Sequence, residues 1–317
     1  MKIKIIKSEL ANLYLFISNL SQWNELVCIP KRKREWIKQI GKLKDEEKNL
    51  LEEFAKILQE SNDNLEPIFL FSEPKMVWLL LTKNIGKNKT RQIRLIFDFF
   101  KVKFKEIWSK DKIKINRIAT AFEKKNSEIK KNLKIISGIC GFKQERANDE
   151  IQVKLLLSAA NECQGWSFGD SVVLECSGWD FKKIDYLLNN IFLHECFHII
   201  LKKNKNLFSK FSEIIKNNRG LVKRFDFEIW GPKIIFEEIL ISSFLPEGYL
   251  GEVILGLDIR KIAKQKIKDK KIDNLEKLRY FCALRNYDTA KEYIDKEKVL
   301  DKSYFLKIID CFKEFKK

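Results

Sequence analysis

The spacing of apolar residues changes partway along the chain. After a short alternating stretch at residues 2–7, apolar side chains recur every three or four positions, most regularly over residues 45–60, which predicts amphipathic helices. Past residue 145, two runs rich in aliphatic residues, at 151–158 and from Ser171 to Cys176, predict strands. Helical spacing then returns at residues 181–203 and continues, with breaks, toward the C-terminus.

This order of elements predicts an α+β protein with two parts. Residues 1–145 form a mostly helical region whose pattern indicates no particular chemistry. Residues 146–317 form a domain with a small sheet, a long central helix and further helices after it.

Composition narrows the class of protein. The chain has 317 residues, 45% of them hydrophobic, which is enough to bury a substantial core. Its seven cysteines are scattered and include no CxxC pair, which argues against a disulfide framework and favours reduced thiols. No export signal is present, and no apolar run reaches the roughly 20 residues that span a bilayer. We therefore expect a cytoplasmic protein that does not enter a membrane.

The chemistry lies in the middle of the long helix, which reads His194-Glu195-Cys196-Phe197-His198. Four residues make about one helical turn, so both imidazoles project from the same face and can share one zinc ion. Glu195 lies beside them, where its carboxylate can take a proton from a water molecule. These are the only two histidines in the chain, and the residues around them are uncharged, as a buried active-site helix requires.

The motif and its context resemble the zincin metallopeptidases. In that family a His-Glu-x-x-His helix packs beneath a small sheet, and the antiparallel edge strand of the sheet binds an extended substrate. The resemblance covers roughly residues 151–248 and implies a zinc cofactor (Zn²⁺) and a peptide or protein substrate. It also implies that the run from Ser171 to Cys176 is the edge strand, which would pair with the substrate backbone.

The third zinc ligand must come from another element. The longer metzincin motif is excluded, because it needs glycine and histidine where this chain has Leu201 and Asn204. A helix predicted after Pro232 carries two adjacent carboxylates in its apolar middle, which resembles the glutamate helix of the gluzincins. Glu237 and Glu238 point about 100° apart, so we expect only one to be a ligand.

We favour Glu238 as that ligand, with Glu237 as a hydrogen-bond partner of a histidine. The alternative for Glu237 is a surface pair with Lys233, one turn earlier. Peptide hydrolysis also needs a donor for the developing oxyanion, and Tyr249, just past the glutamate helix, is the first candidate. Cys196 points about 200° away from His194 around the helix and is expected in the core.

The sequence therefore predicts a zinc-dependent peptidase with His194, His198 and Glu238 or Glu237 as ligands and Glu195 as general base. The alternative is a basic helical protein that binds nucleic acid or another partner, with a structural or vestigial zinc site. The net charge of +18 suits that alternative. It is a weak indication, because lysines far outnumber arginines, whereas phosphate and base recognition relies on arginine.

Overall fold

A computed structural model describes residues 1–24, 30–61, 64–142, 150–158, 164–176, 184–225 and 231–315. The fold is α+β, mostly helical with one small mixed sheet, as the sequence predicts. The chain separates into two compact units, one of residues 1–2, 125–149 and 185–317, the other of residues 3–124 and 150–184. The predicted boundary between residues 145 and 146 lies outside the described residues.

The sheet and the first five helices make up one unit, except that Lys2, the first residue of β1, is assigned to the other unit. The strands are β1 (Lys2–Ile6), β2 (Glu150–Leu156), β3 (Gln164–Phe168) and β4 (Ser171–Glu175). The helices are α1 (Glu9–Ser21), α2 (Pro30–Ile40), α3 (Asp45–Gln59), α4 (Glu66–Phe71) and α5 (Pro74–Lys124). Helix α5 bends at Gly86, whose φ of 81° favours a residue without a Cβ atom.

The order of the strands corrects one expectation from the sequence. The sheet order is β1-β2-β4-β3, so β4 is an interior strand and not the edge. Strand β4 pairs in parallel with β2, where Val153 lies opposite Val172, and antiparallel with β3, where Trp166 lies opposite Val173. All five residues of β4 are buried, which is typical of a strand covered on both faces. The edges belong to β1 and β3.

The other unit contains the His-Glu-x-x-His segment. It holds α6 (Asn126–Ile139), most of α7 (Ile184–Tyr186), α8 (Leu193–Lys203), α9 (Lys205–Asn217), α10 (Arg219–Lys223), α11 (Pro232–Ser242), α12 (Tyr249–Leu255), α13 (Ile259–Lys268), α14 (Asn274–Asp295) and α15 (Lys302–Glu314). The predicted start of the long helix, at Phe181, lies outside the described residues. None of the helices described in the chain combines the length and the hydropathy that crossing a membrane requires.

Local signals in the sequence account for the bounds of the helices around the motif. Asn204 ends α8 and starts α9, because its side chain accepts a hydrogen bond from the backbone of Leu207 at 3.1 Å. Pro232 occupies the first turn of α11, where a missing N–H is tolerated. Asp273 caps α14 by accepting a hydrogen bond from the backbone of Glu276 at 2.8 Å. Helices α9, α11 and α14 therefore begin where the sequence supplies a cap or a proline.

A buried ion pair joins α2 to the interior strand of the sheet. Arg32 Nη2 lies 2.7 Å from Glu175 Oε2, and the two side chains are only 1% and 0% exposed. Two charges at this depth stabilise the fold only as a pair, because either one alone would be a buried charge without its counter-ion. The packing of α2 against β4 therefore depends on both residues.

We expect Glu175→Gln to lower the free energy of unfolding by about 3–5 kcal/mol, because it leaves the guanidinium of Arg32 buried without its carboxylate. Chemical denaturation would measure the change. The matched control is Glu35→Gln. Glu35 lies on α2, like Arg32, and pairs with Lys38 at the protein surface, so its substitution should change stability by about 0–1 kcal/mol. The double variant Arg32→Met with Glu175→Leu should recover most of the loss; equal losses in all three variants would contradict this account.

Candidate metal centre

Helix α8 presents the two histidines side by side. A π-helical turn, Leu187–Phe192, leads directly into α8, so the backbone stays helical through His194. One turn separates His194 from His198, and the centroids of their rings are 4.9 Å apart. Both side chains are buried, and their Nε2 atoms lie 3.1 Å from each other.

Helix α11 brings one carboxylate to both imidazoles. Oε2 of Glu238 lies 3.2 Å from Nε2 of His194, and Oε1 lies 3.0 Å from Nε2 of His198. The three residues each offer a ligand atom, and these atoms all lie within 4.8 Å of one another. The structure thus brings together the two histidines and the glutamate that the sequence favours, and their role as ligands stays a prediction.

The geometry of this group fits a zinc ion. Two imidazoles and one carboxylate, with the fourth position open, form a donor set that is common at catalytic zinc. Bonds of about 2.0–2.1 Å at tetrahedral angles place neighbouring donor atoms about 3.3–3.4 Å apart. The corresponding separations here are 3.1, 3.2 and 3.0 Å. Shifts of a few tenths of an ångström would therefore accommodate the ion.

Each histidine is oriented through its other ring nitrogen. Nδ1 of His194 lies 3.2 Å from the carbonyl oxygen of Leu245, which can only accept a hydrogen bond. Nδ1 of His198 lies 2.5 Å from Oε1 of Glu237. When both Nδ1 atoms donate in this way, both Nε2 atoms face Glu238, which is the tautomer that a shared metal requires.

Glu237 serves as a buried support and not as a surface residue. Its side chain is 4% exposed and lies between His198 and Lys202, whose Nζ is 2.8 Å from Oε1 of Glu237. Burial raises the pKa of Glu237, but His198 and Lys202 outweigh that effect and hold it below its usual value. The alternative surface pair with Lys233 is wrong, because the ammonium of Lys233 lies over the ring of Phe208 at 4.1 Å.

The acidic residues give the metal-free centre a strong affinity for protons. Burial alone lowers the pKa of His198, but the hydrogen bonds to Glu237 and Glu238 outweigh it and raise the pKa to about 10. Burial raises the pKa of Glu238, yet His194 and His198 hold it well below its usual value. The metal-free centre therefore contains an imidazolium at neutral pH, and a cation of higher charge can replace its proton.

The loop that supplies the carbonyl of Leu245 is tightly folded. A Cβ atom on Gly248 would lie 1.9 Å from the carbonyl oxygen of Ser243, so no larger residue fits there without backbone movement. The amide of Gly251 donates to the carbonyl of Phe244 at 3.0 Å and closes the loop onto α12. This compact turn fixes the position of Leu245 relative to His194.

Glu195 follows His194 directly on α8. Its side chain is half-buried, and in the described part of the chain its carboxylate has no hydrogen-bond or ion-pair partner. It lies close enough to His198 to contribute to the raised pKa of that imidazole. A carboxylate without a partner beside a group of metal ligands is what a general base needs before substrate arrives.

Among the described contacts, the hydroxyl of Tyr249 is engaged by α14 and not by the histidines. Its hydroxyl lies 3.5 Å from Oδ1 of Asp295 and accepts a hydrogen bond from Lys291 at 3.2 Å, both on α14. Hydrogen bonds with Asp295 and Tyr249 raise the pKa of Lys291 to about 12, so its ammonium stays with these partners. The assignment of Tyr249 as the oxyanion donor loses its geometric support, because its hydroxyl is engaged elsewhere.

Cys196 lies in the core, as expected from its position on the helix. The side chain is fully buried, and burial followed by the charge of Glu195 raises the pKa of its thiol well above the usual value. A neutral thiol on the opposite side of α8 from the imidazoles is not available as a ligand.

Two supporting groups escape sequence reasoning for different reasons. The carbonyl of Leu245 is a backbone atom, and nothing in the residue type marks it. Lys202 did carry a signal, since it lies one turn beyond His198 on the same face of α8, but its carboxylate partner comes from α11. Helical spacing locates residues on one helix and does not show which neighbouring helix faces them.

Comparison of the chain with protein families, with curated proteins and with solved structures finds no match. The case for a function therefore rests on the geometry and charge of this centre.

We expect Glu238→Ala to abolish stoichiometric zinc binding, because it removes one of three ligand atoms. Glu237→Ala should weaken zinc binding by about 10–100-fold, since it removes only a hydrogen-bond partner of a ligand. Competition with a chromophoric chelator would measure both affinities. The control is Glu213→Ala, an exposed residue of α9. The assignment is reversed if Glu237→Ala loses the metal while Glu238→Ala keeps it.

Zinc binding should release about one proton near pH 7, because the ion takes the Nε2 position that the proton of His198 occupies in the metal-free protein. Affinity should accordingly rise with pH and level off as the pH approaches the His198 pKa of about 10. Calorimetry in buffers of different ionisation enthalpy counts the released protons. Glu237→Gln should reduce the count, because it replaces the charged acceptor that raises this pKa with a neutral one; a count of zero in the wild type would refute the charge state.

Proposed function

We propose that this chain is a zinc-dependent peptidase that hydrolyses peptide bonds in a zincin-like, gluzincin-type site. The observation that carries the proposal is the group of His194, His198 and Glu238 at donor separations of 3.0–3.2 Å, with Glu195 free beside it. A structural zinc site usually has four protein ligands, whereas three ligands leave a position for substrate or water. Within the described ranges of the chain, this donor count therefore favours catalysis over a structural role.

His194, His198 and Glu238 would hold the zinc ion. When bound, zinc supplies Lewis acidity that polarises a peptide carbonyl and makes water a competent nucleophile near neutral pH. Glu237 and the carbonyl of Leu245 keep the imidazoles in the orientation that this requires.

Glu195 would move the proton. As the water oxygen forms a bond to the carbonyl carbon, the carboxylate of Glu195 accepts a proton from that water. The same carboxyl group then donates the proton to the amide nitrogen as the carbon–nitrogen bond breaks. The products are a carboxylic acid and an amine, and Glu195 returns to its starting state.

The rival reading as a nucleic-acid-binding protein stays a prediction. Helix α13 carries a basic face along a shallow groove of about 470 Å³ lined by Arg260, Lys261, Lys264 and Lys268. The guanidinium of Arg260 already pairs with Asp288 and lies 3.9 Å from the ring centroid of Tyr287. The group best suited to phosphate recognition is thus engaged within the protein, so we do not propose this function.

We expect Glu195→Gln to retain zinc and to lower peptide hydrolysis by about 10²–10⁴-fold, because the amide cannot accept the proton from water. The assay uses the zinc-loaded protein with a library of unstructured peptides, and mass spectrometry detects new termini. Glu213→Gln on the surface of α9 is the matched control and should cleave as the wild type does.

Two results would count against the proposal. Cleavage by Glu195→Gln at the wild-type rate would remove Glu195 from the reaction. A zinc-loaded wild type that cuts no bond in the library, while binding zinc stoichiometrically, would remove the peptidase function and leave the metal centre in place.

A further inference from the structure

Helix α14 carries an arginine that contacts both the helix that carries Glu238 and the loop that carries Leu245. Nε of Arg279 donates a hydrogen bond to Oγ of Ser242 at 2.8 Å. Nη2 of the same guanidinium lies 3.0 Å from Oε1 of Glu247. Ser242 ends α11, the helix that carries Glu238, and Glu247 lies in the loop that carries Leu245.

The partners of Arg279 are buried. Ser242 is 0% exposed and Glu247 is 7% exposed. The second carboxylate oxygen of Glu247, Oε2, is buried without a hydrogen-bond partner among the described residues. A carboxylate in this condition depends on a single counter-ion, and that counter-ion is Arg279. The contact between Arg279 and Glu247 therefore stabilises the position of the loop that carries Leu245.

The charge of Arg279 also acts on the ligand carboxylate. Burial lowers the pKa of Arg279, but the nearby charges of Glu247 and then Glu238 outweigh burial and raise it. A permanent positive charge therefore lies near Glu238. Arg279 makes no hydrogen bond to Glu238 in the described structure, so it acts at a distance and through the backbone elements that it joins.

We propose that Arg279 is a positioning residue for the metal centre, which clamps the end of α11 to the loop of residues 243–248 and thereby fixes Glu238 and the carbonyl of Leu245 relative to the histidines. This proposal rests on one part of the proposed function, namely that the centre binds zinc. It does not require that the bound zinc cleaves peptides.

The chemistry of the contact explains why an arginine is used. Ser242 and Glu247 are reached by two different nitrogens of one rigid, planar guanidinium. A lysine has a single nitrogen on a flexible stem, so it can restore the charge near Glu238 without restoring both contacts. The two roles of Arg279, charge and clamp, can therefore be separated by substitution.

The test compares Arg279→Gln, Arg279→Lys and the control Arg285→Gln. Arg285 lies on the same helix and pairs with Glu314 at 3.0 Å, but both of these side chains are exposed. Zinc affinity is measured by chelator competition, and cobalt(II) replaces zinc so that its visible absorption reports the geometry of the ligands. The melting temperature of each metal-free variant records any general loss of stability.

We expect Arg279→Gln to weaken zinc binding by about 10–100-fold and to change the cobalt spectrum. Arg279→Lys should recover part of the affinity, and Arg285→Gln should match the wild type in both measurements. If Arg279→Gln does not fold, Glu247→Gln and Ser242→Ala test the clamp one contact at a time and should each change the cobalt spectrum.

The proposal is overturned if the variants lose thermal stability while zinc affinity and the cobalt spectrum stay at wild-type values, because Arg279 would then be a structural residue only. A wild type that binds neither metal would instead refute the metal centre itself. A wild type that binds zinc and cleaves no peptide would refute the proposed function, and the comparison of the Arg279 variants would remain valid.

Discussion

The centre depends on compensating charges between two apolar helices. Helices α8 and α11 are lined with buried aliphatic and aromatic residues, and yet they face each other with two imidazoles and two carboxylates. Each of these groups would be expensive to bury alone, so the packing of the helices requires that they satisfy one another. Hydrogen bonds between imidazoles and carboxylates do this in the metal-free protein, and the same contacts place the donor atoms of His194, His198 and Glu238 at separations suitable for zinc.

The part of the centre that the sequence predicts is the part that follows from local geometry. The spacing of His194 and His198 is a property of one helix, and the directions of Glu237 and Glu238 around another predicted that only one of them would be a ligand. The preference for Glu238 drew on the resemblance to the gluzincins. Glu237 is buried and Glu238 is partly buried, and both contact the histidines of α8. Glu237 then finds its cation on α8, in Lys202, and not one turn away on its own helix. The contact between Glu237 and Lys202 could not be predicted from spacing within either helix.

The positions of the strands within the sheet also could not be predicted from the sequence pattern of each strand alone. The apolar run of β4 predicts a strand, and its uninterrupted burial from Ser171 to Glu175 is typical of an interior one. The edge assignment came from the resemblance, which supplied a position in the family's sheet and not a property of these residues. Strand β3 was not predicted, because Gly165 and Gly169 are typical of a turn, although the segment pairs along its full length with β4. Pairing between strands overrode a weak local preference.

The charged side chains around the candidate ligands set the electrostatic environment of a bound metal ion. Among the described residues, three cationic side chains and four carboxylates lie at or near the centre: His198, Lys202, Arg279, Glu195, Glu237, Glu238 and Glu247. The formal charge of this group is therefore negative by one unit. A divalent ion that displaces the proton of His198 adds one net positive charge and brings the group to neutrality. A neutral buried centre is the state that low dielectric surroundings favour, so these lysine, arginine and carboxylate side chains would favour a divalent cation at the proposed site.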